Sequence, residues 1–157
     1  MFRCVREARL ARGACVVVVS SAAAAFPIPF QAFYSATKAA LNSYTLALRT
    51  ELGTQGVRVC AVMPGDVRTG FTDARVKSSA KDALYGGRIA RSVESMERDE
   101  RRGMSPDAVA RVLLTRAEEK NPRPLTAVGG SYRLFLFLNR LLPARLACFI
   151  IGKMYGC

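Results

Sequence analysis

A tyrosine, a lysine and a serine near the start of the chain have the residue types and the spacing for acid/base chemistry on a carbonyl or an alcohol. Tyr34 and Lys38 are placed to lie one turn apart on the same face of a helix. A lysine ammonium in that position favours the phenolate, so the pair predicts a tyrosine pKa lowered from its ordinary value of about 10. Ser21 follows the apolar run Val16–Val19, and a hydroxyl there can polarise a substrate oxygen.

Each of these residues also has an ordinary structural interpretation. A Tyr-x-x-x-Lys pair is common on helix surfaces, and a serine after a strand is commonly a cap or a turn residue. The occurrence of all three together favours a functional site, because open parallel α/β sheets place their catalytic groups at the carboxyl ends of the strands. The chain has no histidine, which excludes most other hydrolytic and acid/base arrangements.

Length and composition describe one folded domain with a basic surface. The chain has 157 residues, 50% of them hydrophobic, and a formal net charge of +12, which excludes a disordered chain. The basic residues are scattered and do not alternate with aromatic ones, so we interpret the charge as a solvated surface and expect no nucleic-acid partner. Part of the charge is free to serve a phosphorylated cofactor.

The five cysteines predict reduced thiols and no metal site. Their number is odd, no two have Cys-x-x-Cys spacing, and no histidine is present to complete a zinc site. We therefore expect a cytoplasmic protein, with membrane association left open. Residues 1–25 resemble a targeting peptide, but their apolar run is short and is broken by Ser20 and Ser21, so we favour a segment that belongs to the fold.

Hydrophobic patterning predicts alternating strands and helices. Short β-branched runs indicate buried strands, and Ser105 followed by Pro106 is typical of a helix N-terminus. Long crossovers between apolar strands indicate parallel pairing, so the fold class is α/β, in a single partial domain over residues 1–157. The expected elements are the tail of a basic helix over 1–12, a strand over 14–19, a helix over 31–52, a strand over 57–63, a lid of one or two mobile helices over 66–104, a helix over 105–120, a strand over 124–128 and two helices over 131–155.

The motifs around the three polar residues resemble the short-chain dehydrogenase/reductase family. The similar segments, which follow the family's order and spacing, are Val16–Ser21, Tyr34–Leu41, Val57–Val59 and Pro64–Thr69. The resemblance covers roughly residues 14–130, and Val128–Leu146 is similar to the branch often labelled 17β-hydroxysteroid dehydrogenase-like. It implies a Rossmann-like, doubly wound parallel sheet and an NAD(P)-dependent oxidoreductase that transfers hydride between nicotinamide and a carbonyl or alcohol.

The resemblance also implies a role for each matching residue. Tyr34 would be the general acid in reduction and the base in oxidation, Lys38 would lower its pKa and hold the nicotinamide ribose, and Ser21 would hold the substrate oxygen. The implied cofactor is NAD or NADP, with NADP slightly favoured. The loop residues expected beside the nicotinamide and its carboxamide or phosphates are Pro64, Gly65, Val67 and Thr69.

The chain also departs from the family's pattern. The glycine-rich turn that cradles the pyrophosphate is absent among its twelve glycines, and so are the Asn-Asn-Ala-Gly segment and the residue that selects NAD or NADP. We therefore expect a partial sheet that lacks the N-terminal dinucleotide-binding half, with weak cofactor binding and no activity in the isolated chain. Strand counting leads to the same expectation, because strand 14–19 would keep an exposed apolar edge unless preceding residues or another chain covered it.

The substrate pocket is predicted from position along the chain. Leu84 and Tyr85 of the lid would cap it, and the apolar lining favours a hydrophobic ketone or alcohol. The alternative is that these apolar residues only fill the core. The expected lining residues are Ala23, Gln31, Phe33 and Phe71.

The two C-terminal helices have three possible uses. Their basic residues and Pro143 argue against a membrane span, so they can cover the pocket, form a dimer contact or lie on a membrane surface. We favour the first two, and we expect the full-length protein to form a homo-oligomer, with helix 32–52 as a further dimer face.

Two alternatives to the enzyme also stay open: a catalytically silent fragment that pairs with a full-length homologue, and a basic protein that binds a membrane surface.

Overall fold

A computed structural model describes residues 13–74 and 82–155 of the chain. The basic helix expected over residues 1–12, together with Cys4, Cys157 and Val76 of the lid, lies outside this range. The described residues alternate between strands and helices, as the patterning predicts. The elements are β1 (Cys15–Val19), α1 (Ala32–Gly53), β2 (Arg58–Pro64), α2 (Arg88–Arg101), α3 (Pro106–Glu118), β3 (Leu125–Val128), α4 (Gly130–Leu141) and α5 (Ala144–Met154), with short 3-10 turns at Ala22–Ala24 and Asp82–Tyr85.

The strands form one parallel sheet in the order β1-β2-β3. The register pairs Val17 with Cys60 and Val62 with Thr126, so all three strands end at the same edge. This arrangement confirms the predicted α/β, Rossmann-like fold class.

Helices cover both faces of the sheet, because neighbouring residues of a strand point to opposite sides. On one face Leu48 and Leu52 of α1 pack with Val59 of β2. On the other face Val109 of α3 packs with Val62. The central strand β2 is therefore buried along nearly its whole length.

Strand β1 is less buried than its apolar sequence predicts. Its residues are half-buried rather than buried, and Val19 is 49% exposed. The physical reason is that β1 pairs only with β2 among the described residues, so its other edge has no strand beside it. The strand expected over 14–19 is therefore present and less buried than its composition alone predicts, and its open edge is the one that strand counting predicted.

Two local devices fix the ends of helix α3. The Ser105 hydroxyl accepts a hydrogen bond from the Ala108 amide at 3.3 Å, and Pro106 occupies the first turn, which confirms the expected cap. At the other end, the Arg58 guanidinium donates to the carbonyls of Ala117 and Glu119. A strand side chain thereby satisfies carbonyls that the end of the helix leaves without partners.

The segment between β2 and α3 leaves the sheet and returns beside its own start. The Met104 amide donates to the Asp66 carbonyl, and the Arg68 amide donates to the Met104 carbonyl, both at 3.0 Å. Gly103 permits this contact, since a Cβ at that position would lie 2.5 Å from the Asp66 oxygen. Within this segment, α2 and the 3-10 turn Asp82–Tyr85 are the helical elements that the structure describes in the expected lid.

Candidate active site

A cavity of about 350 Å³ lies at the edge of the sheet where the three strands end. Its wall comes from the residues that follow β1, from the first turns of α1 and from the loop after β2. Two residues of α2, Tyr132 of α4 and Tyr155, which follows α5, complete it. This is the edge at which parallel α/β sheets bind their ligands, because the loops that connect strand to helix converge there.

The fold brings Ser21, Tyr34 and Lys38 to this one cavity. The Lys38 ammonium donates to the Val19 carbonyl at 3.2 Å and lies 5.7 Å from the centre of the Tyr34 ring. The Ser20 hydroxyl donates to the Lys38 carbonyl at 3.1 Å, which fastens the end of β1 to helix α1. The two residues of the predicted pair are therefore positioned by the strand that precedes the helix as well as by the helix.

The three polar groups differ in accessibility and in hydrogen bonding. Tyr34 is 42% exposed, so its side chain is open to a ligand. The Ser21 hydroxyl accepts a hydrogen bond from the Ala23 amide at 3.2 Å and caps the 3-10 turn. That bond uses an acceptor site of the hydroxyl, which keeps its proton to donate to a second oxygen.

The loop after β2 presents the other predicted ligand-binding residues. Pro64, Gly65, Val67 and Thr69 all line the cavity. The Thr69 hydroxyl accepts from the Phe71 amide at 3.2 Å, which turns the chain sharply after the loop. The lysine, the tyrosine and threonine hydroxyls and the loop backbone form a set of donors and acceptors suited to sugar hydroxyls and a carboxamide.

The structure brings only some of the predicted substrate residues to the cavity. Ala23, Gln31 and Phe71 line it. Phe33 does not, and it is 91% exposed, because consecutive residues of a helix point about 100° apart and Tyr34 faces inward. Leu84 and Tyr85 are also absent from the lining, and the Tyr85 ring packs instead edge-on against Phe30 at 5.6 Å.

Sequence reasoning missed a polar contact at the far side of the cavity. The Tyr132 hydroxyl donates to the Asp66 carboxylate, and the Tyr132 ring lies so close to Gly65 that a Cβ there would be 2.0 Å from it. Both residues lie close after a strand end, Asp66 two residues after β2 and Tyr132 in the first turn of α4, which follows β3. Their position at the carboxyl edge of a parallel sheet is the signal that could have identified them.

Burial controls the protonation of this contact. It raises the pKa of the Asp66 carboxyl above its ordinary value, and the Tyr132 hydroxyl acts in the opposite direction by stabilising the carboxylate. Burial also raises the pKa of Tyr132, and it raises the pKa of Tyr155 to about 12. Tyr132 and Tyr155 are therefore neutral hydroxyls near pH 7.

Residues 13–74 and 82–155 hold no group of three metal-ligating side chains close enough to bind an ion. Cys15 and Cys60 are free thiols, and burial raises the pKa of Cys60 to about 11.

The fold and the position of the cavity define the class of protein: a Rossmann-like α/β domain with its cavity at the carboxyl edge of a parallel sheet. A family model described as short chain dehydrogenase matches residues 2–80. This chain belongs to that family.

Relatives with curated names support the assignment over a longer stretch. The chain is 37% identical over 151 residues to a 3-ketodihydrosphingosine reductase of Bacteroides thetaiotaomicron, which aligns 94% of this chain with 56% of the relative. It is 38% identical over 86 residues to a sulfoacetaldehyde reductase of Chromohalobacter salexigens, which aligns 54% of this chain with 34% of that protein. The chain thus spans little more than half the length of the first of these relatives and about a third of the second.

Solved structures share the fold. A short chain dehydrogenase from Burkholderia cenocepacia in complex with NADP superposes with a TM-score of 0.63 at 20% identity, covering 90% of this chain and 50% of that chain. A short chain dehydrogenase family protein from Francisella tularensis gives a TM-score of 0.63 at 22% identity, covering 85% of this chain and 56% of that one.

Proposed function

We propose that the chain carries the catalytic half of an NAD(P)-dependent oxidoreductase that reduces a ketone, or oxidises the corresponding alcohol, on an apolar substrate. The observation that carries the proposal is the convergence of Ser21, Tyr34 and Lys38 with the loop Pro64–Thr69 on one cavity. Family membership and the names of the relatives, which are reductases, support the same reaction type.

In this proposal each polar residue acts through a stated atom. The Tyr34 hydroxyl gives its proton to the carbonyl oxygen in reduction and takes it back in oxidation. Ser21 donates a hydrogen bond to the same oxygen, which stabilises the charge that develops on it. Lys38, held by the Val19 carbonyl, places a positive charge 5.7 Å from the centre of the Tyr34 ring. There it would stabilise the negative charge that proton transfer to the substrate leaves on Tyr34.

The cavity suits the nicotinamide end of the cofactor. Lys38 and Tyr34 would hold the ribose hydroxyls, and the backbone at Gly65 and Val67 with the Thr69 hydroxyl would hold the carboxamide. The bound nicotinamide supplies or accepts the hydride. We favour NADP over NAD, and the support is the excess of basic residues together with the NADP complex of the Burkholderia neighbour.

The substrate side of the cavity is mainly apolar. Phe26, Ile28, Phe71 and Met96 line it, which favours a carbonyl carried on a hydrocarbon chain. The similarity to a 3-ketodihydrosphingosine reductase points to a keto group as the reacting function. Apolar lining removes water from the substrate chain and leaves the reacting oxygen to the polar side.

The test uses reduced nicotinamide mononucleotide, which lacks the adenosine half of the cofactor and so does not need the glycine-rich turn. We expect the chain to bind it with chemical-shift changes centred on the Gly65 and Val67 amides. Lys38→Met should weaken this binding, and Tyr34→Phe, which removes the other group that would hold the ribose, should also weaken it.

Turnover is measured in the full-length protein, since the isolated chain is expected to be inactive. The ketone is 3-ketodihydrosphingosine, and the readout is the loss of reduced-nicotinamide absorbance. Tyr34→Phe should lower kcat about 100-fold or more, the usual contribution of a general acid. Tyr44→Phe is the matched control, since Tyr44 is on the same helix but packs against Leu48 and Leu52, away from the cavity. Full turnover by Tyr34→Phe would remove Tyr34 as the general acid, and binding without turnover would contradict the reductase function.

A further inference from the structure

Helices α4 and α5 carry an apolar face toward the protein and a second one toward solvent. Toward the protein, the Phe135 ring packs edge-on against Phe26 at 4.7 Å, and Ile151 and Tyr155 are buried in the same cluster. The Asn139 amide donates to the Ala25 carbonyl at 3.0 Å, which fixes the rotation of α4. The side chains on the opposite side of these helices therefore point outward.

The outward side of α4 is a continuous apolar stripe. Its residues recur at the i, i+3, i+4, i+7 spacing of one helical face, and α5 extends the surface with two more. Each of the six side chains is between 44% and 66% exposed. We call this surface the outer face, and its members are Leu134, Phe137, Leu138, Leu141, Leu146 and Phe149.

Positive charge surrounds the outer face without any negative charge nearby in sequence. Arg133, Arg140, Arg145 and Lys153 lie on the same two helices and are all exposed. No aspartate or glutamate occurs after Glu119. The Lys153 ammonium lies 5.8 Å from the centre of the Phe149 ring, so a positive charge lies next to an apolar side chain of the outer face.

We propose that the outer face lies on an anionic lipid surface. The apolar stripe would enter the boundary between headgroups and acyl chains, and the basic residues around it would contact the anionic headgroups. A second copy of the chain fits less well, because pairing two outer faces would bring basic residues together with no carboxylate on these helices to neutralise them. No helix within residues 13–74 and 82–155 is long and apolar enough to cross a membrane.

This surface and the cavity share their supporting helices. Tyr132 of α4 and Tyr155, which follows α5, line the cavity, while the opposite sides of the helices form the outer face. A lipid-bound chain would thus hold its cavity within a helix diameter, about 10 Å, of the acyl chains. The inference rests on the helix surfaces and stands independently of the proposed reaction.

The experiment is co-sedimentation of the full chain with lipid vesicles. We expect binding to vesicles of equal parts phosphatidylcholine and phosphatidylglycerol, little binding to phosphatidylcholine alone, and release near 1 M salt, where the Debye length falls to about 3 Å. Failure to bind the anionic vesicles at low salt would overturn the proposal.

Two pairs of variants separate the outer face from general basicity. Arg140→Gln with Arg145→Gln should weaken binding by about thirtyfold. Arg98→Gln with Arg111→Gln removes the same charge from α2 and α3 and should weaken binding by less than about threefold. Equal losses in the two pairs would show non-specific attraction and contradict the proposal.

The apolar contribution has its own control. Phe137→Gln with Leu141→Gln should weaken binding by at least about tenfold. Leu114 on α3 is 61% exposed but lies outside the outer face, so Leu114→Gln should not weaken binding. Circular dichroism verifies that each variant is folded. If instead sedimentation equilibrium shows a dimer that the Phe137 and Leu141 substitutions dissociate, then a second copy occupies the outer face and the lipid proposal is wrong.

Discussion

Replacing Gly65 with alanine tests the packing that closes one side of the cavity. A Cβ at this position would lie 2.0 to 2.3 Å from three ring carbons of Tyr132, whereas non-bonded carbons rest about 3.5–4.0 Å apart. The ring must therefore retreat by about 1.5 Å. Its hydroxyl is bonded to the Asp66 carboxylate, and a displacement of that size breaks the hydrogen bond.

Two costs follow from the displacement. Forcing an extra methyl group into packed structure costs about 1–3 kcal/mol. Leaving the half-buried Asp66 carboxylate without the Tyr132 hydroxyl costs about 1–3 kcal/mol more. We expect Gly65→Ala to lower the free energy of unfolding by about 2–6 kcal/mol, a large part of the 5–15 kcal/mol that is typical of a whole domain.

The assay is urea unfolding followed by circular dichroism, run as a double-mutant cycle with Tyr132→Ala. With the ring removed, Gly65→Ala should cost less than about 1 kcal/mol. Gly53→Ala is the matched control, since a Cβ there meets no atom within 4 Å. An equal cost for Gly65→Ala with and without the Tyr132 ring would refute the reasoning, because the cost would then have another origin.

Two further predictions concern single contacts. Burial raises the pKa of the Asp66 carboxyl above its ordinary value of 3.8. Its contribution to stability is therefore full below the unfolded pKa and is lost as the pH rises through the folded pKa. Asp66→Asn can still accept from Tyr132 and does not titrate, so its stability relative to the natural chain should increase as the pH rises above about 4; urea unfolding at several pH values that shows a constant difference would contradict this. Ser105→Ala removes the hydroxyl that accepts from the Ala108 amide and should lower the free energy of unfolding by about 1 kcal/mol. Ser105→Gly should lower it by only a few tenths of a kcal/mol. Equal losses in the two variants would show that the cap does not depend on the hydroxyl.

Elements with a strong local signal could be predicted from the sequence. The β-branched run at 14–19 became Cys15–Val19, and the helix expected over 31–52 became Ala32–Gly53. Ser105 and Pro106 marked the start of α3, because capping depends on neighbouring residues alone. The parallel pairing of the strands followed from the long crossovers between short apolar strands.

The residues that were misjudged or missed depend on geometry beyond the local pattern. Phe33 adjoins Tyr34 in sequence, yet helical rotation turns it to solvent. The contact between Asp66 and Tyr132 joins residues that are 66 positions apart. It forms only when α4 packs against the loop after β2, and hydrophobic periodicity does not predict that packing.

The hydrogen bonds that join Asp66, Arg68 and Met104 have a consequence for how the cavity can diversify. They hold the two ends of residues 68–103 together beside the end of β2, so the point at which this segment joins the sheet does not depend on the segment's length. The entropy of closing such a segment grows only with the logarithm of its length. Insertions or exchanges within the segment should therefore change the free energy of folding only slightly. They would change the cavity wall that carries Phe71 and Met96, while the strand ends that position Tyr34 and Lys38 keep their places.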